Sequence, residues 1–286
     1  MEPCIAVCIH GRLGKSKKNI HGIPLDVIDS LKSLKNNVLD ENKNNIFAHT
    51  WSDQRIMETF DFLKPNAYSI TDPIEFKKLS QLKLYKYALK RGFKQLISYS
   101  ITTKLNFVDA QKKLNNYMSR FYSHGATLHL MKNYALQNDI KYTHVLVSRY
   151  DLEFFSKFNF SKLKKEFIYI GQDIELFDKN NNNIPNRLYW EKLKNKEELR
   201  IENIDIFKRK RAIDDFFYVC SYENALAMAN LFEKINYYLA TGTPVSPHFL
   251  LERHIKEVIG MNNIKFCKKR MEDYDLSRRF RLGATI

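Results

Sequence analysis

The chain has 286 residues, of which 44% are hydrophobic and 28% charged, with nine glycines and seven prolines. This apolar fraction can fill a core, which excludes a largely disordered chain, and the few glycines and prolines disfavour a collagen-like or linker-dominated one. Lysine plus arginine exceeds aspartate plus glutamate by 15. Such an excess attracts nucleic acid, acidic membranes and phosphorylated small molecules alike, so charge alone does not identify a partner.

The cysteines and the N-terminal residues bear on location. The four cysteines, Cys4, Cys8, Cys220 and Cys267, form no CxxC or mixed Cys/His metal motif. We therefore expect reduced, buried thiols in a cytoplasmic protein. The apolar stretch Cys4 to Ile9 is too short for a signal peptide or a membrane span. The basic surface would allow peripheral contact with an anionic membrane.

The first part of the chain alternates apolar runs with helical spacing. Residues Cys4 to Ile9 (CIAVCI) form a continuous apolar run before a glycine-containing loop, which predicts a strand buried on both faces. An apolar stripe predicts a helix from Pro24 to Leu39. Ile46 to Trp51 and Ala67 to Ile70 are the next two strand candidates. The predicted order is β-α-β-α-β.

Helical spacing then dominates, and we predict a helical insertion over residues 74–138. Thr143 to Val147 (THVLV) predicts a fourth strand that leads into a polar cluster. The charged, asparagine-rich residues 178–211 predict a long flexible loop. Phe216 to Cys220 (FFYVC) predicts a further strand.

Two helices are predicted after this strand, one beginning at Ser221 and one opened by Ser246 and Pro247 and reaching Ile259. The sequence shows no internal repeat and no linker. We therefore predict one domain over residues 1–286, of the α/β class, with a mixed sheet flanked by helices.

The candidate acids form two clusters. Arg149, Asp151 and Glu153 follow the fourth strand, at the end of an α/β sheet where ligands bind. Strand alternation would place both carboxylates on one face, where they could hold one Mg²⁺ or Mn²⁺ completed by waters and a diphosphate. Asp214 and Asp215 precede the FFYVC strand, where a carboxylate could act as a base on an acceptor hydroxyl. Surface or strand-end charges are the alternative for both clusters.

Two other strand ends could bind a ligand. Gly11 and Arg12 follow the first strand, where backbone N–H groups and a guanidinium would bind an anion; a tight turn is the alternative. Thr50 and Trp51 close the second strand, where they would flank a base or sugar; core packing is the alternative for Trp51. The sequence contains no P-loop, dinucleotide fingerprint, GxSxG or HExxH motif.

Three stretches taken together, IAVCIHGRLG, NIFAHTW and MSRFYSHGATLHLMKNYALQNDIKYTHVLVSRYDLEFF, resemble the GT-A-type glycosyltransferases of bacterial capsule and lipopolysaccharide loci and of some large DNA viruses. The similarity extends more faintly through AIDDFFYVCSYENALAMANLF and SPHFLLERHI. The resemblance implies a GT-A-like (Rossmann-like) fold. It also implies a nucleotide-sugar donor bound against the first strands and a glycan or glycolipid acceptor, as in surface polysaccharide biosynthesis.

The resemblance implies roles for individual residues as well. Asp151 would hold Mn²⁺ or Mg²⁺ on the diphosphate, and Arg149 would contact the donor. Asp215 or its neighbour Asp214 would lie near the acceptor as the catalytic base. Many relatives of the wider fold carry Asp-x-Asp, whereas this chain has Arg, Tyr, Asp, Leu and Glu at positions 149–153. That departure leaves open whether Glu153 binds metal and whether a metal is needed.

Two other functions are compatible with the sequence. One is a basic nucleic-acid-binding protein, suggested by the net charge and the basic residues between 268 and 281. The other is a catalytically inert member of the fold that only binds sugars. The chain lacks the signatures of the common nucleic-acid-binding modules, so we expect no nucleic-acid partner.

Overall fold

The computed structural model describes residues 4–13, 27–76, 93–172, 176–178, 183–184, 204–205, 213–269 and 273–276. The strands of these residues are β1 (Ile5–Gly11), β2 (Asn44–Trp51), β3 (Ala67–Thr71), β4 (His144–Arg149), β5 (Leu152–Phe154), β6 (Ile168–Gln172), β7 (Leu176–Asp178), β8 (Asn183–Ile184), β9 (Ile204–Asp205), β10 (Phe217–Cys220), β11 (Ile264–Lys269) and β12 (Tyr274–Leu276). The α-helices are α1 (Val27–Leu34), α2 (Ile56–Leu63), α3 (Phe93–Gln137), α4 (Tyr222–Met228), α5 (Leu231–Ala240) and α6 (Pro247–Val258).

Seven strands form one mixed sheet in the order β11-β6-β10-β4-β1-β2-β3. The neighbours β4, β1, β2 and β3 are parallel, so their carboxyl ends meet at one edge. Strand β10 runs antiparallel to both β4 and β6, and it therefore begins at that same edge. The α/β class and the mixed sheet flanked by helices, as predicted from the sequence, are confirmed.

An apolar layer lies on each face of the sheet. One layer joins alternate strand residues to α3, α4, α5 and α6, with Leu128, Ile235 and Leu250 among its fully buried members. The other joins the opposite strand residues to α1, α2 and the β5/β12 pair, including Phe154 and Tyr274. Strand β1 is buried on both faces, as its unbroken apolar run predicts.

Most predicted element boundaries agree with the structure to within a few residues. The helix predicted from Pro24 is described from Val27, and after Leu34 it continues as a π-helical turn over Lys35–Leu39. Ser221 caps α4 because its side-chain oxygen accepts a hydrogen bond from the backbone N–H of Asn224.

The predicted helical insertion and the predicted long loop lie only partly within the described residues. From Leu114 onward, α3 packs on the sheet and supplies core residues. Residues 77–92 of the predicted insertion lie outside the described residues, as does most of 178–211, where β8 and β9 pair with β7.

All four cysteines carry unpaired thiols; Cys8 and Cys220 are buried, and the other two are half-buried. Among the described helices, none combines the length and the apolar character that crossing a bilayer requires.

Candidate active site

The carboxyl ends of β1, β2 and β4 bring several predicted ligand-binding residues to one edge. In the sheet register, His10 lies opposite Arg149 and Gly11 lies opposite Thr50. Gly11 has a φ of 128°, a conformation that residues with a side chain rarely adopt. A glycine is therefore required where the chain leaves β1.

Arg149 and Asp151 form a side-on pair at this edge. The Nε of Arg149 donates to one carboxylate oxygen of Asp151 at 2.7 Å, and one terminal nitrogen donates to the other at 2.6 Å. Both side chains are mostly buried, and the guanidinium lies 5.6 Å from the ring centre of Phe216. Burial lowers the pKa of Arg149, but the charges of Asp151 and Asp215 outweigh that effect and raise it overall. Arg149 is therefore a fixed, permanent cation.

A second buried arginine comes from the middle of α3. Arg120 donates to a carboxylate oxygen of Asp215 and to the backbone carbonyl of the same residue. Burial lowers the pKa of Arg120 to about 10, and Asp215 opposes this shift. Arg120 therefore stays protonated at neutral pH. The charge of Arg149 also lowers the pKa of Arg120, and the charge of Asp214 raises the pKa of both arginines.

Asp214 is buried beside this pair and receives hydrogen bonds from Tyr274 and Phe216. The hydroxyl of Tyr274 donates to Oδ2 at 2.7 Å, and the backbone N–H of Phe216 donates to Oδ1 at 3.2 Å. Tyr274 lies on β12, after β10 in the chain, whereas Arg120 lies on α3, before β10. The two acids that precede β10 are therefore held by residues from both earlier and later parts of the chain.

Asp214, Asp215 and His248 form a three-residue cluster whose potential ligand atoms lie within 4.8 Å of one another. Oδ1 of Asp215 is buried and has no hydrogen-bond partner among the described residues. It lies 3.2 Å from Nδ1 of His248, outside hydrogen-bonding geometry, and that nitrogen lies 3.0 Å from the carbonyl of Ile213. Carboxylate and imidazole ligands suit a divalent cation such as Mn²⁺. The residues present therefore fit a metal.

Helix α3 also supports the strand ends. The hydroxyl of Ser123 accepts a hydrogen bond from the backbone N–H of Gly11 at 3.1 Å and lies 2.6 Å from Nδ1 of His49. The other ring nitrogen of His49 lies 3.0 Å from the hydroxyl of Thr71 on β3. One serine therefore connects β1 and β2.

Buried histidines lie on the same face of the sheet as Arg149. The rings of His10 and His124 meet edge to face with centres 5.5 Å apart, and His124 bonds the hydroxyl of Tyr218 at 2.6 Å. Burial lowers the pKa of His124 to about 3 and that of His10 well below its usual range, and Arg120 adds to both shifts. Both rings are therefore neutral beside the two arginines.

The structure places the other predicted residues as follows. Trp51 is buried against Tyr122, and Thr50 is fully buried. Arg12 is exposed just after β1. Glu153 is buried on β5, in register with β12, and does not join the three-residue cluster with Asp214.

Sequence reasoning did not find Arg120 or His248. Both lie on helices, where one polar residue on an apolar face gives little signal. The stretch SPHFLLERHI holds His248 directly after the proline that opens α6, which was the available clue.

Comparisons with known proteins find likeness in structure. No protein-family model matches the chain, and no curated protein matches it. Among solved structures, the chain is similar to the mannosyltransferase Ktr4p from S. cerevisiae, with 12% identity and a TM-score of 0.44. The alignment covers 94% of this chain and 70% of that one.

Proposed function

We propose that this protein is a glycosyltransferase that moves a sugar from a nucleotide-sugar donor to a glycan or glycolipid acceptor. One observation carries the proposal: two buried arginines, Arg149 and Arg120, are fixed by aspartates at the carboxyl edge of an α/β sheet. Ligands of such sheets bind at that edge. The motifs that resemble GT-A-type enzymes lie on the same strands, β1, β2 and β4.

The arginines match the main electrostatic demand of sugar transfer. In that reaction an acceptor oxygen bonds to the anomeric carbon while the bond from that carbon to the diphosphate breaks. The departing oxygen gains negative charge, and preorganised cations in a water-poor site stabilise such charge strongly. Arg149 is already oriented by Asp151 and Phe216, so little reorganisation is needed when the diphosphate arrives.

The acceptor side remains a matter of prediction. By resemblance, Asp215 or Asp214 would take the proton of the acceptor hydroxyl. Both carboxylates are buried at the start of β10, close to the arginines. Thr50 and Trp51 as contacts of the base or sugar, and Gly11 and Arg12 as contacts of the phosphates, also stay predictions.

A divalent cation, when bound, would neutralise part of the diphosphate charge. The predicted ligands Asp151 and Glu153 stay a prediction, because both oxygens of Asp151 already accept hydrogen bonds from Arg149. A carboxylate has further lone pairs, so this pairing does not prevent metal binding.

Turnover of a panel of nucleotide sugars tests the proposal. UDP-, GDP-, CDP- and dTDP-sugars are incubated with the protein and Mn²⁺ or Mg²⁺, and release of the nucleoside diphosphate is measured. Arg149→Lys keeps the charge but loses the planar fork, and we expect kcat/KM to fall about 10²-fold. Arg253→Lys, on the exposed part of α6, is the matched control and should keep the wild-type rate.

Three results would count against the proposal. The first is no release of nucleoside diphosphate from any donor; the second is an equal rate in Arg149→Lys and Arg253→Lys. The third is salt-sensitive binding of random oligonucleotides that nucleotide sugars do not displace, which would favour the nucleic-acid alternative. Unchanged turnover in Asp151→Ala would remove Asp151 from the mechanism.

A further inference from the structure

The cluster of Asp214, Asp215 and His248 carries an inference about where a metal binds. Asp214 and Asp215 precede β10, and His248 is the second residue of α6. Two separate parts of the chain therefore supply potential ligand atoms that lie within 4.8 Å of one another. We propose that this cluster, rather than Asp151 with Glu153, binds a divalent first-row cation, with Mn²⁺ as the probe.

The strongest support is the unsatisfied oxygen of Asp215. The Asp215 side chain is only 1% exposed, yet its Oδ1 has no hydrogen-bond partner among the described residues. A buried carboxylate oxygen left in this state is unfavourable unless something binds it. Arg120 holds the other oxygen and the backbone carbonyl, so the carboxylate cannot turn to satisfy Oδ1 elsewhere.

The neighbours of Oδ1 have the chemistry of metal ligands. His248 lies 3.2 Å away through Nδ1, and the same nitrogen lies 3.0 Å from the carbonyl of Ile213. A histidine that ligates a metal usually donates its other ring N–H to a backbone carbonyl or carboxylate. With Nδ1 protonated toward Ile213, the lone pair of His248 is on Nε2, so Nε2 rather than Nδ1 would be the ligand atom.

The local charge also suits a cation. Three carboxylates, on Asp151, Asp214 and Asp215, meet the guanidinium groups of Arg120 and Arg149 in this network. These five side chains together carry one net negative charge. An imidazole ligand favours Mn²⁺ over Mg²⁺, because Mg²⁺ selects oxygen ligands almost exclusively.

This inference assigns Asp214 and Asp215 to holding the cation instead of to the base role, since an oxygen bound to metal does not accept a proton. Metal binding itself does not depend on the proposed function; only the use of the cation in sugar transfer rests on it.

Titration of the intact protein with Mn²⁺, followed by electron paramagnetic resonance, tests the site. We expect one bound Mn²⁺ per chain and a Kd weakened about tenfold or more in His248→Gln. The matched control is His129→Gln, the same substitution at an exposed position of α3. It should keep the wild-type Kd, whereas Asp151→Asn, which removes a nearby negative charge but no proposed ligand, should weaken the Kd less than His248→Gln does. Spin-echo modulation should show an imidazole nitrogen on the bound Mn²⁺ of the wild type.

Several outcomes would overturn the inference. These are no Mn²⁺ binding at millimolar concentration, no imidazole nitrogen in the wild-type echo, or a Kd that changes in Asp151→Asn and not in His248→Gln. The wild-type echo decides the matter even if His248→Gln does not fold. Mn²⁺ bound as expected without turnover of any sugar donor would leave the metal site standing and remove the proposed function.

Discussion

Two buried tyrosines allow the same substitution, tyrosine to phenylalanine, to be tested where it should lower stability and where it should raise it. Tyr150 and Tyr274 are 1% and 0% exposed, and both pack in the apolar layer with α1 and α2. The hydroxyl of Tyr274 donates to Asp214 at 2.7 Å, whereas that of Tyr150 has no hydrogen-bond partner among the described residues. Tyrosine to phenylalanine removes the same atom at each position, so the packing change is matched.

The two changes should shift the free energy of unfolding in opposite directions. A hydrogen bond to a charged group contributes roughly 1.5–3 kcal/mol, so Tyr274→Phe should lower stability by about 2 kcal/mol. A buried polar group without a partner costs roughly 1–3 kcal/mol, so Tyr150→Phe should raise stability by about 1 kcal/mol. The expected gap between the variants is then about 3 kcal/mol, or roughly 6–12 °C in Tm for a chain of this size.

Urea unfolding followed by circular dichroism measures both variants against the wild type. If the free energy of unfolding falls with urea concentration at the same slope in all three proteins, a shift of the urea midpoint reports a change in stability. A loss of stability in Tyr150→Phe comparable to that in Tyr274→Phe would refute the reasoning. It would show that the hydroxyl of Tyr150 makes an interaction in the native protein.

Two further predictions concern close packing and buried histidines. In Gly171→Ala the new Cβ would lie 2.6 Å from Cζ of Tyr274 and 3.0 Å from Cε1 of Phe217, so unfolding experiments should show a loss of about 1–3 kcal/mol. Burial lowers the pKa of His49 and of His254 to about 4, so below pH 6.5 the unfolded chain takes up protons that the folded chain does not. Stability should therefore fall between about pH 6.5 and 4 by about 1.4 kcal/mol per pH unit for each histidine. His254→Gln should flatten that slope, and a slope identical to the wild type's would contradict the assignment.

The central strands of the sheet were predictable because they are buried on both faces, whereas β6 and β11 of the same sheet were not predicted. The run CIAVCI gave β1, and THVLV gave all but the last residues of β4, since parallel central strands appear as continuous apolar segments. The two-residue strands β8 and β9 were not predicted, because segments so short have no periodicity that distinguishes them from a loop.

The site was only partly predictable, because its pairs join distant parts of the chain. Strand alternation predicts that Asp151 and Glu153 share one face of the strand, but it predicts equally that Asp151 shares that face with Arg149. In the structure the chain turns between β4 and β5, and the guanidinium of Arg149 donates hydrogen bonds to the carboxylate of Asp151. Arg120 and Asp215 are 95 residues apart, and local pattern gives no indication that they meet.

Helix α3 has a consequence for how the site assembles. Within about one turn, Arg120 holds the acid before β10, Ser123 holds the ends of β1 and β2, and His124 holds Tyr218 of β10. A slide of α3 by one residue would break all of these contacts together. The edge therefore forms as a cooperative unit, and hydrogen exchange at the amides of Gly11 and Phe217 should slow in step as α3 docks.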